Sequence, residues 1–419
     1  MTTTLTRRDF LKLAGWTMAA PARSVPSWMP RLAFAPPGVE PQGDILVCVF
    51  QRGGMDGLNA VIPHGEPEYY KRRPTLAIAE PESGSDQTGI DLDGFFGLHP
   101  SLRPLKDLWD DAGLAIIHAV GSPDPTHSHF DAMDYMERGT PGEKQIPTGW
   151  IGRHLQTAPW QNESPFRAVG MGGVMQASLR GPIPVTTLQS IADFHLAGRA
   201  RDLEQIQRTL AGLYSFGGSL DAEAAETFSA IDLLAGLDVS NYTPANGAEY
   251  PETEYGQAMK QVAQLAKAEI GLEVACVDIG GWDTHSAEGA LEGDLPRLLD
   301  EFASGLAALY HDLGEMRKRV TIVTMSEFGR RAYENGSRGT DHGHGNVMFV
   351  MGGNVNGGAV YGEWPGMAEG QLTGPGDLEI TTDFRDVLGE IAQKRLANAD
   401  NLENIFPGYT DWKMRGVVR

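Results

Sequence analysis

The stretch that most constrains this chain is DILVCVF, Asp44–Phe50, an apolar run rich in β-branched residues and closed by QRGGMDGLN. A continuous apolar run of this length, ended by glycines, reads as a strand buried on both faces. The pattern recurs in GLAIIHAV (Gly113–Val120), LEVACVDIG from Leu272, RVTIVTMSEF from Arg319 and NVMFVMGG from Asn346, and more weakly in FRAVGM and PIPVTTL. Helical patterns lie between. PSLRPLKDLWDDA sets Leu102, Leu105 and Leu108 on one face, and EYGQAMKQVAQLAKAEIG ends at Gly271. LPRLLDEFASGLAALYHDLGEM is a long amphipathic helix, and TTDFRDVLGEIAQKRL opens on a Thr/Asp cap. Alternating strands and helices predict an α/β fold, with a largely parallel central sheet and helices on both faces.

The 419 residues suffice for one large α/β domain or two ordinary ones. The segment TRRDFLKLAG, with Arg7 and Arg8 ahead of a modestly apolar stretch, resembles a twin-arginine export signal. The expected division is therefore a signal over 1–35, a Pro-rich linker over 36–43, and one domain over 44–419. That domain carries a helical insertion near 190–255, with Leu203, Ile206 and Leu210 on one face. Twin-arginine machinery would deliver the folded protein to the periplasm or beyond, with a cofactor already in place. Arg23 and the prolines argue against a membrane-spanning helix in the signal, and no later apolar run reaches the about 18 residues a span needs.

Net charge is −21, from 34 Lys+Arg against 55 Asp+Glu. Such a surface repels phosphate backbones, which argues against nucleic acid as a partner. An anionic substrate would need local positive charge, which bound metal ions supply. Cys48 and Cys276 are the only cysteines, each inside an apolar strand. They read as buried free thiols, with a disulfide across neighbouring strands as the alternative.

Ligands of open α/β sheets bind outside the carboxyl ends of the strands. Four predicted strand ends here carry polar loops. Asp56 follows the first, and Asp124, Thr126, His127, Ser128 and His129 follow the second. Asp283 and His285 follow the strand from Leu272; Glu327, then Asp341, His342 and His344, follow the strand from Arg319. Five of the 11 histidines lie in these loops, and the topology gathers them. Asp, Glu and His without cysteine point to one or two divalent ions among Zn²⁺, Mn²⁺, Mg²⁺ and Ca²⁺. Ser326–Asn346, rich in Gly, Ser and Asn, reads as a loop. Asp341 suits a turn cap as well as a metal, and His118, inside a strand, reads as a core residue.

The motifs RGGMDGLNAVIP, SHFDAMDYMERG, GGWDTH, TMSEFGR and GTDHGHGNVMFVMGG, in this order, resemble the DUF1501 family within the alkaline phosphatase superfamily. The resemblance spans roughly residues 44–400. It implies an alkaline phosphatase-like fold and a metal site at which Asp56, Asp283, His285, Glu327, His342 and His344 are ligands, with Asp341 as an addition. It implies Ser128 as a nucleophile at a helix start, where the helix dipole favours an anionic ester, with Thr126 as runner-up. Arg330 would pair with the substrate anion or form a structural ion pair. The superfamily's Asp–His pair is here Glu327–Phe328, so the carboxylate stays and the histidine is lost. His342 or His344 is expected to replace it. The expected activity is an exported metal-dependent hydrolase or transferase of a phosphate or sulfate ester. The alternative is a non-catalytic, metal-stabilised protein that binds an anionic glycan or a surface partner.

Overall fold

A computed structural model describes residues 44–419 except 83, 160–161, 163 and 192–241. The expected signal (1–35), the linker (36–43) and most of the insertion near 190–255 thus lie outside the described residues. In chain order the strands that matter are β1 Ile45–Gln51, β2 Leu114–Gly121, β3 Ala168–Met171, β4 Thr186–Leu188, β5 Val274–Ile279 and β6 Val320–Met325. They continue with β7 Arg330–Glu334, β8 Thr340–His342, β9 Asn346–Met351, β10 Ala359–Tyr361 and β11 Thr382–Asp383. The helices used below are α1 His129–Arg138, α2 Trp150–Thr157, α3 Glu254–Lys267, α4 Asp294–Leu313 and α5 Phe384–Lys394.

The main sheet runs β10-β2-β9-β6-β1-β5-β3-β4, with β11 also on β2. Every pairing is parallel except those of β9, which is antiparallel to β2 and β6. The sheet is thus largely parallel, as the sequence predicts. β1, in the middle, is buried at every residue because it packs on both faces. Leu46, Cys48 and Phe50 of β1 and Met348 and Val350 of β9 pack with Trp150 and Ile151 of α2 and Phe384 and Leu388 of α5. Phe349, between Met348 and Val350, points the other way and meets Phe302 of α4 with ring centres 5.7 Å apart. Helices therefore cover both faces. Each such fully buried side chain contributes about 1.5–3 kcal/mol. Cys48 and Cys276 face each other across β1 and β5 as buried free thiols.

Two local expectations change. PSLRPLKDLWDDA is a 3₁₀ segment, Pro100–Leu105, followed by one short helix, Lys106–Asp110, because Pro104 has no N–H to continue an α-helical ladder. Ser326–Asn346 contains a hairpin rather than a plain loop. β7 and β8 pair antiparallel, Arg330 opposite His342 and Glu334 opposite Thr340. Asn335 closes the turn by accepting from the Ser337 and Gly339 amides at 2.8 and 3.2 Å. Since β9 reverses direction, it starts at the sheet edge where β6 ends, and residues 326–345 stay at that edge. The described residues belong to one compact unit, and among them no helix is long and apolar enough to cross a membrane.

Candidate metal centre

The turn after β1 approaches the loop after β5 so closely that side chains are excluded. A Cβ on Gly53 would lie 2.6 Å from the Asp283 amide nitrogen, and one on Gly54 would lie 2.5 Å from the Phe328 ring. The loop after β5 is pinned by buried Trp282, whose indole N–H donates to the Ile279 carbonyl at 3.0 Å. This aims Asp283 at the centre of the strand-end loops.

Asp283 Oδ1 is the meeting point. Arg330 Nη2 donates to it at 2.8 Å. The Nε2 atoms of His342 and His285 each lie 3.1 Å away, and that of His129 lies 3.4 Å away. His285 Nε2 and His342 Nε2 face each other at 2.8 Å. The donor atoms of His129, Asp283 and His342 all lie within 4.8 Å of one another. Three elements deliver this set: the first turn of α1, the loop after β5, and β8.

The opposite ring nitrogens explain why the Nε2 atoms turn inward. His129 Nδ1 lies 2.8 Å from Glu327 Oε1, His342 Nδ1 3.0 Å from the His127 carbonyl, and His285 Nδ1 3.4 Å from Asp341 Oδ1. Carbonyls and carboxylates accept, so a neutral ring that donates from Nδ1 turns its Nε2 lone pair inward, where it can ligate a cation. With a cation present, the Nε2 atoms of His129 and His342 and the Asp283 carboxylate oxygen would all face it. His129 Nε2 is buried and has no hydrogen-bond partner. Metal-binding histidines are held in this way, with the far nitrogen on an orienting acceptor. The donor set fits a divalent ion. Burial alone would raise the Asp283 carboxyl, but hydrogen bonds from Arg330 and His342 outweigh it and bring it down to about 2. The Glu327 hydrogen bond raises His129 against the opposing effect of burial, whereas burial lowers His342.

Of the residues predicted from sequence, Asp283, His285 and His342 come together. Glu327 stands one step behind. Its Oε1 accepts from the Gly53 amide at 2.8 Å as well as from His129. Asp341 likewise stands behind His285 and accepts from Asn335 at 3.0 Å. His344 turns away, its Nε2 donating to the Ser122 carbonyl at 2.8 Å. Asp56 is fully buried and closed off by Arg73, which donates to both of its oxygens. Burial would raise this carboxyl, and Arg73 more than reverses that. Arg330 is buried, and its N–H groups are committed to the carbonyls of Gly53, Gly54, Trp282 and Thr340 and to Asp283. It ties the strand-end loops together instead of reaching for a substrate. Ser128 is the N-cap of α1, exposed, and its side chain caps no amide. Thr126 Oγ1 accepts from the Ser128 amide at 3.2 Å and so belongs to the turn.

His129, which the sequence places in a strand-end loop without a ligand role, joins Asp283, His285 and His342. Phe328 packs its ring at 4.9 Å from His129 and 4.7 Å from His342, as a wall behind both. The position that lacks a histidine is thus bordered by imidazoles from α1 and β8. The signal was the SHFD motif itself, whose histidine follows the cap serine directly.

An α/β sheet with imidazoles and a carboxylate gathered at its strand ends defines this as an α/β protein with a candidate metal centre. The chain belongs to the DUF1501 family, described as "Protein of unknown function (DUF1501)", which matches residues 44–394. No curated protein matches the sequence. Among solved structures, a sulfatase from Pseudoalteromonas sp., PsFucS1, is similar at 11% identity and TM-score 0.39, covering 90% of this chain and 74% of its own. The C-terminal periplasmic domain of EcEptC from Escherichia coli, in complex with Zn, is similar at 10% identity and TM-score 0.35, covering 75% and 73%. The lipoteichoic acid synthase LtaP from Listeria monocytogenes is similar at 8% identity and TM-score 0.35, covering 97% and 79%. Likeness at this level fixes neither activity nor residue roles.

Proposed function

We propose that this protein is an exported metal-dependent hydrolase or transferase of a phosphate or sulfate ester. The observation that carries the reading is the convergence of His129, His285 and His342 on Asp283, directly beside the exposed hydroxyl of Ser128 in sequence. A divalent ion held by His129, Asp283 and His342 would polarise the ester oxygen as a Lewis acid. The chain's own residues do the rest. Ser128 sits at the head of α1, where unpaired amide N–H groups favour an anion. Its Oγ attacks phosphorus or sulfur, and the leaving alcohol departs with the serine proton. Water, or an acceptor alcohol in a transferase, then releases the group and restores the hydroxyl. Arg330 and Glu327 keep Asp283 and His129 in place.

The resemblance of residues 1–35 to a twin-arginine signal supports a periplasmic or secreted location and the export machinery as a partner. The alternative, a non-catalytic binding protein for an anionic glycan, is favoured by one observation: Phe328 occupies a position where the superfamily keeps a histidine. Aryl phosphate monoesters, diesters and sulfates, assayed with the wild type, Ser128→Ala and His129→Ala, separate the two. Turnover that collapses in both variants supports the enzyme. Undiminished turnover in both places the site elsewhere, and metal-loaded protein that turns over no ester favours the binding reading.

A further inference from the structure

We propose that the centre takes a single borderline ion such as Zn²⁺, and that arginine guanidinium groups permanently occupy the places a second cation would need. The inference rests on the metal centre but not on ester chemistry.

The donor set argues for the ion class. Two imidazole nitrogens, of His129 and His342, gather with the Asp283 carboxylate, with His285 Nε2 against His342 and Asp283, and imidazole suits Zn²⁺ and its neighbours in the transition series. Mg²⁺ and Ca²⁺ take about six or more oxygen ligands, which this cluster does not offer.

The carboxylates argue for the count. A second ion would need acidic ligands from the strand-end loops, and the four acids of the expected ligand set are already engaged. Asp56 is paired with buried Arg73 through both oxygens. Asp283 shares the oxygen that faces the imidazoles with Arg330. Glu327 accepts from the Gly53 amide and orients His129. Asp341 accepts from Asn335 and lies against His285. The Arg330 guanidinium, held by four backbone carbonyls, already takes one side of Asp283 Oδ1 and leaves that oxygen room for one ion. Asp56→Asn tests the point directly, since it removes a strand-end carboxylate that a second ion would draw on.

The experiment is metal content by mass spectrometry of the full chain, then calorimetric titration of chelator-stripped protein with Zn²⁺, Mg²⁺ and Ca²⁺ alone. The expected result is one equivalent of Zn²⁺, undisturbed by a hundredfold excess of Mg²⁺ or Ca²⁺. His342→Ala and His129→Ala lose that equivalent. Glu327→Gln, which keeps every ring, weakens it about 10- to 100-fold. Asp56→Asn retains it. Circular dichroism checks that each variant is folded, and Glu327→Gln decides if a histidine variant is not. Two equivalents, a loss of one equivalent in Asp56→Asn, or equal binding of Ca²⁺ or Mg²⁺ would overturn the proposal. One bound Zn²⁺ without ester turnover would sink the enzymatic reading and leave this one standing.

Discussion

Asp56 and Asp283 occupy matching places, each in the loop after a parallel strand of the main sheet. Their fates differ. Asp283 exposes 47% of its side chain, and Asp56 exposes 0%. Asp56 meets Arg73, which arrives at the end of the short helix Pro67–Arg72 and also donates to Asn59 and the Arg331 carbonyl. Asp283 meets an arginine on one side and imidazoles on the other. What an acidic strand end does is therefore set by what neutralises it. A guanidinium closes the site permanently, whereas ring nitrogens leave a place for an exchangeable cation.

The contrast can be broken in order of size. Arg73→Leu leaves the Asp56 carboxylate buried without its guanidinium, and chemical unfolding is expected to show a loss of about 3–5 kcal/mol. Adding Asp56→Asn to that variant should return a large part of the loss. A cost below about 1 kcal/mol for Arg73→Leu would mean that Asp56 is not closed off in this way. Asp283→Ala is expected to lower metal affinity by at least about 100-fold, measured by calorimetry, because it removes the oxygen that all three rings face.

Glu288 sharpens the buried side of the comparison. Its carboxyl is raised well above 4.5, first by burial and then by the charge of Asp56, while Thr340 donates to it at 2.7 Å. A raised acid contributes stability that is complete below its unfolded value of 4.5 and is lost as pH climbs through the folded value. Glu288→Gln mimics the protonated form. Its melting temperature should therefore gain on the wild type as pH rises from 5 to 9, and a gap that stays flat across that range would remove Glu288 from the account. The smallest effect belongs to His344→Ala. Losing the bond to the Ser122 carbonyl should cost about 1 kcal/mol of stability and change metal affinity by no more than about twofold. A large loss of affinity there would return His344 to the ligand set.

The central strands were legible because buried parallel strands are unbroken apolar runs, as β1, β5 and β6 are. The hairpin was not legible. β7 and β8, reading RRAYE and TDH, join a small four-stranded sheet with Asp377–Leu378 and Leu372–Thr373 and carry no apolar alternation. Within the site, Asp283, His285 and His342 were legible from their places at strand ends. The ligand role of His129 was not legible because it lies in the first turn of α1, beside the cap serine, and only the fold aims its ring at Asp283. The closure of Asp56 was out of reach because nothing local marks Arg73, 17 residues away on another element, as its partner.

One reversed strand has an architectural consequence. Because β9 runs against β6, the chain leaves and re-enters the sheet at a single edge, and residues 326–345 never cross it. Glu327, Arg330, Asp341 and His342 travel together on that excursion. The segment is therefore a cassette. It can be lengthened at the Asn335–Gly339 turn, or exchanged whole, without rethreading a strand, and exchanging it would rewrite the donor set on a sheet that stays as it is.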